Sequence, residues 1–106
     1  MKSKKGEKRF MGMIDKIKYM MSIVKSNDYN SEDFQKICSF VSEVSNYARR
    51  GKLFGYSISD FALATLKWMN TDESIKIFNS EYSIIKDENR KSMIDELIES
   101  KMYLEF

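Results

Sequence analysis

A chain of 106 residues is long enough for one domain with a modest core, and too short for two. Apolar residues at 42% and charged residues at 32% exclude global disorder, and a net charge of +2 makes no demand for a nucleic-acid partner. The absence of histidine excludes His-dependent triads and His ligation of zinc or haem, and a single cysteine excludes an intramolecular disulfide, thiolate metal clusters and CxxC redox pairs.

Proline is also absent and there are only four glycines. Proline breaks helices and central strands, so its absence fits a mostly helical chain with short turns. Charge is unevenly spread: KSKKGEKR at 2–9 carries five Lys/Arg against one Glu, whereas residues 71–106 are acidic on balance. Such a basic arm can meet phosphate or an anionic surface, or simply be solvated. Residues 1–8 are expected to form a flexible arm and residues 9–106 a single helical domain.

Phe10, Met13, Ile14, Ile17, Met21 and Val24 recur every three or four residues, which predicts a helix over about 9–26. Asp15, Lys16 and Lys18 interrupt its apolar run, so neither a secretory signal nor the roughly 20-residue apolar span of a membrane helix is present. A soluble cytoplasmic protein is the expectation. This basic amphipathic helix could also lie on a membrane surface, a reading weakened by Asp15 and the modest lysine count.

Ser26–Asn30 is a loop rich in turn formers. Asn30 or Ser31 then caps a second helix whose inner face carries Phe34, Ile37, Cys38, Val41, Val44 and Ala48. Arg49 and Arg50 suit its negative carboxyl end, and Gly51 suits the left-handed residue that closes it. Ser57 and Asp60 have capping-box spacing and open a third helix over 58–69, apolar on more than one side and therefore expected at the centre. Asn70 or Thr71 caps a fourth helix bearing Ile75, Phe78 and Tyr82. The run Tyr82–Ile85 reads equally as helix or as extended chain. Asp87 caps a fifth helix bearing Met93, Ile94, Leu97, Ile98 and Met102. The expectation is an all-α, compact bundle of four to five short helices.

No phosphate-cradling glycine motif and no calcium loop occurs. The carboxylates Asp95, Glu96 and Glu99 have the spacing of a solvated helix face. No enzyme activity, cofactor or metal is therefore expected.

The stretch from Arg49 to Phe61 carries the sharpest motif. Gly51, Gly55 and Phe61 have the spacing of a helix-turn-helix, and KLFGYSIS resembles the turn of a repressor-type helix-turn-helix. That resemblance implies phosphate contacts by Arg49, Arg50 and Lys52 and an outward reading face with Ser57 and Ser59. Asp60 on that face would repel phosphate, and the same segment reads as a helix stop followed by a capped restart.

Eight methionines and surplus aromatic residues are the compositional mark of an interface. The leading expectation is thus a non-enzymatic helical protein that binds another protein. In format it resembles bacteriocin-immunity bundles, phage inhibitors and adaptors. The expected contact surface is Met11, Lys18, Tyr19, Met20, Phe54, Tyr56 and Trp68, and homodimerisation is compatible with it. The alternative is a small DNA-binding regulator.

Overall fold

The computed structural model describes residues 12–43 and 55–100. The basic arm 1–8, Met11, residues 44–54 with Arg49, Arg50, Lys52 and Phe54, and Met102 lie outside the described residues. The elements are α1 (Met13–Ser26), α2 (Ser31–Phe40), α3 (Ile58–Met69), α4 (Asp72–Ser83) and α5 (Glu88–Ser100), with no strand among the described residues. The protein is an all-α bundle.

Each boundary has a local cause. Asn30, Ser57 and Thr71 stand in extended backbone, and each side chain accepts a hydrogen bond from the amide three residues on, while that residue's side chain accepts from the cap's own N–H. These are reciprocal capping boxes that satisfy amide groups left without carbonyl partners at a helix start. Asp87 Oδ1 accepts from the Asn89 and Arg90 amides at 3.0 and 3.3 Å and starts α5. Asn27 and Asn70 close α1 and α3 in the left-handed region, at φ 54° and 55°. The ambiguous run after Tyr82 is helical to Ser83 and then turns, with the Ile85 amide donating to the Tyr82 carbonyl.

One boundary departs from the sequence pattern. The second helix was expected to carry its apolar face beyond Val41, yet α2 ends at Phe40. The reason is tertiary: the Glu43 carbonyl accepts the Ser59 amide at 2.7 Å, and the Glu43 carboxylate is paired with Lys16 on α1. Those two bonds turn the chain out of the helix and join it to α3 and α1.

The helix α3 is the axis of the bundle. The other four helices pack against it more extensively than against one another. Every residue from Ile58 to Leu66 is buried, as is Met69. Around it lie Ile17, Met20 and Ile23 from α1, Ile37 and Phe40 from α2, Phe78 from α4, and Ile94 and Leu97 from α5. Packing four amphipathic faces around this mostly apolar helix removes most of it from water, the main gain in folding a chain of this size.

Candidate binding cleft

At the amino end of α5, one arginine separates two hollows. Arg90 donates Nε–H to Asp60 Oδ1 at 2.9 Å and Nη2–H to Ser59 Oγ at 2.8 Å. Asp60 Oδ2 in turn accepts the Ser57 amide at 2.9 Å. The Asp60 side chain is 4% exposed and that of Arg90 30% exposed. A buried carboxylate is tolerable only with such partners. The capping box of α3 therefore also anchors α5, and the guanidinium stands fixed at the surface.

On one side of Arg90 lies an open cleft of about 470 Å³, lined by Val41, Leu63, Ile84 and Ile85 with Lys86 and Glu81. On the other is a smaller hollow of about 240 Å³, bounded by Gly55, Ser57, Asn89 and Met93. Ile84 is 67% exposed, the most exposed large apolar side chain among the described residues. It follows from its position: it is the αR residue that ends α4, at φ −90° and ψ −4°, and the turn to Asp87 leaves no helix above it. Apolar floor, exposed rim isoleucine and a few oriented polar groups make a surface suited to a partner's side chains.

The expected contact residues are scattered. Lys18 is exposed on α1. Tyr19 is half-buried, donating its hydroxyl to Asp33, with its ring edge-on to Phe40 and under the Lys36 ammonium. Trp68 is half-buried near the end of α3. Met20 and Tyr56 do not reach the surface. Met20 faces α3 from the inner stripe of α1, and Tyr56 packs its ring 5.8 Å from that of Phe61.

The expected reading face of α3 is likewise internal. Ser57 and Ser59 are buried, one in the capping box and the other under Arg90. With Ile58–Leu66 buried, the first nine residues of α3 have no free face to lay into a major groove. None of the cleft residues Val41, Leu63, Ile84, Ile85, Lys86 and Arg90 was expected from sequence to form a contact surface. The one available signal was the β-branched pair Ile84–Ile85 at an uncertain helix end.

Titration behaviour is that of a packed scaffold. Burial, reinforced by the hydrogen bond to Asp33, holds the Tyr19 phenol protonated well above its usual range. Burial also raises the phenols of Tyr56 and Tyr82 and the Cys38 thiol, with Asp95 adding to the effect at Tyr82 and Glu73 at Cys38. Asp33 is shifted down, first by the Tyr19 hydroxyl and then by the Asn30 amide. The four phenol and thiol shifts favour the less nucleophilic protonated form, opposite to what an activated nucleophile requires. Among the described residues no three metal-binding side chains cluster.

Comparison with family models, curated proteins and solved structures returns no match to this chain.

Proposed function

We propose that this chain is a non-enzymatic binding protein that engages a protein partner stoichiometrically, as an inhibitor, immunity protein or adaptor of bacterial or phage type does. The cleft beside Arg90 is the contact surface. The observation that carries this reading is Ile84, left 67% exposed over an open apolar floor of Val41, Leu63 and Ile85. Water-exposed isoleucine at the mouth of a cleft is removed from solvent at a gain when a partner covers it.

Support also comes from the chemistry present. Arg90, Asp60 and Ser59 are engaged in holding α3 and α5 together, and they offer a rigid frame in place of a reactive centre. Rigid frames keep the ordering cost of association low.

The test is a photo-crosslinking amino acid at position 84, with a second at the exposed position 76 as control. A protein captured from the native host at position 84 and not at 76 should bind the purified chain one to one. That binding should be lost in Ile84→Asp. Equal capture at both positions, or capture unaffected by Ile84→Asp, removes the cleft as the contact surface.

A further inference from the structure

The first helix carries a second outward feature that the cleft does not use. Successive helical residues advance by about 100°, so Ile14, Lys18, Met21 and Lys25 fall within about 60° of one another, on the side away from Met20 and Ile23, with buried Ile17 at the stripe's edge next to Met21. The structure places them accordingly. Ile14 is 47% exposed, Lys18 and Lys25 are exposed, and Met21 is half-buried. Apolar and cationic side chains thus alternate along one outer stripe of α1. Lys16, on another face, is paired with Glu43 and carries no part of this stripe.

Charge along the chain singles out the same region. Residues 2–25 contain eight Lys/Arg and two Asp/Glu, a net +6 in a chain whose total is +2. No ion pair joins Lys18 or Lys25 to another described residue. Asp15 is the acidic residue on the exposed side of α1, and it lies about 60° around the helix from Lys18.

We infer that the outer stripe of α1 docks on an anionic lipid surface. The lysines supply attraction to negative headgroups, and Ile14 and Met21 supply shallow apolar contact between them. A polyanion without an apolar phase, such as nucleic acid, would use the lysines and leave Ile14 unexplained. Attachment is peripheral, since no described helix is long and apolar enough to cross a membrane. This inference stands apart from the partner cleft, which lies at α3, α5 and the α4–α5 link.

The experiment is flotation of the full chain with vesicles of phosphatidylcholine alone and of phosphatidylcholine mixed with phosphatidylserine. It is run at about 0.1 M and about 0.5 M salt, where screening lengths differ by roughly a factor of two. The chain should float with the anionic vesicles at low salt, and with neither vesicle at high salt. The double variant K18E/K25E should bind roughly tenfold or more weakly. Ile14→Ser should weaken binding while leaving the salt dependence unchanged. Circular dichroism confirms the fold of each, and Lys18→Gln with Lys25→Gln provides a milder pair. Three outcomes overturn the inference: equal binding to neutral vesicles; vesicle binding that is unchanged in both K18E/K25E and Ile14→Ser; or no binding to anionic vesicles at low salt, whether or not duplex DNA is bound.

Discussion

Arg90 donates to Asp60 across the start of α5 and the start of α3, at 2.9 Å between Nε and Oδ1, with Asp60 almost wholly shielded from water. The pair joins residues thirty positions apart and fixes the wall between the two hollows. Removing the arginine alone leaves a buried carboxylate with only the Ser57 amide. Arg90→Met should therefore cost about 2 kcal/mol, below the full value for a completely buried pair because Arg90 is partly solvated. Asp60→Ala, which also loses the capping partner, should couple with Arg90→Met by about 1 kcal/mol in a double-mutant cycle. Urea denaturation reads both. Additive losses would show that the contact contributes nothing of its own.

The central position of α3 gives a second expectation. Leu66 is fully buried, within a helix enclosed by the other four. Leu66→Ala should lower stability by about 3 kcal/mol, through lost apolar transfer and the cavity left behind. Lys67 follows it on the exposed side, its ammonium over the Phe78 ring. Lys67→Ala should cost well under about 1 kcal/mol, as exposed cation–π contacts do. Comparable losses at the two adjacent positions would contradict the single-axis architecture.

Chain reversal after α3 rests on Asn70, at φ 55° and ψ 40°. Glycine adopts that backbone without the side-chain clash that other residues incur, and asparagine tolerates it. Asn70→Gly should be neutral or slightly stabilising, whereas Asn70→Val should cost about 1–2 kcal/mol. Thr71→Ala next to it should cost about 1 kcal/mol by opening the capping box of α4. Thermal unfolding of the three variants gives the ranking, and a more stable valine variant would deny the left-handed cap.

Much of this fold is legible in the sequence because its signals are local. Ser57 with Asp60 marked the start of α3, Asn70 or Thr71 that of α4, of which Thr71 is the cap, and Asp87 that of α5, since capping depends on residues two or three apart. The central place of α3 was readable from apolar residues on several sides, though not the burial of Ser59 and Asp60. The end of α2 was not, because the bond that draws Glu43 out of the helix comes from Ser59, sixteen positions on. The cleft is harder still: Val41, Leu63, Ile84 and Arg90 meet only through tertiary packing. Met20 and Tyr56 show the converse limit. Their types suit an interface, but helical phase against α3 for one, and the ring of Phe61 for the other, place them inside.

The Tyr19–Asp33 contact makes the α1–α2 junction sensitive to pH. The folded carboxyl of Asp33 titrates below its ordinary value, held by the Tyr19 hydroxyl and the Asn30 amide. A depressed folded value means a contribution fully present above the ordinary carboxylate range and lost as acid approaches the folded value. For Tyr19 the folded phenol is raised, so its contribution is intact below pH about 10 and fades only in stronger alkali. Between those limits the contact is complete. Tyr19→Phe should flatten the fall in melting temperature between about pH 5 and pH 2, because its removal relieves the main cause of the Asp33 shift. An unchanged acid slope would mean that Asn30 alone holds the carboxylate.

Exposure and function separate most cleanly at Ile84. The residue lies beyond the last turn of α4 with two-thirds of its surface in water, so little folding free energy depends on it. Ile84→Asp should leave unfolding stability within about 0.5 kcal/mol of the parent, as substitutions at open surface sites do. Its neighbour Ile85 is half-buried against the core cluster, and Ile85→Asp should cost clearly more. A protein whose Ile84 served packing would lose stability in both variants alike. If Ile84 instead serves recognition, its variant remains folded and loses partner binding, and calorimetric unfolding alongside the crosslinking assay distinguishes the two cases.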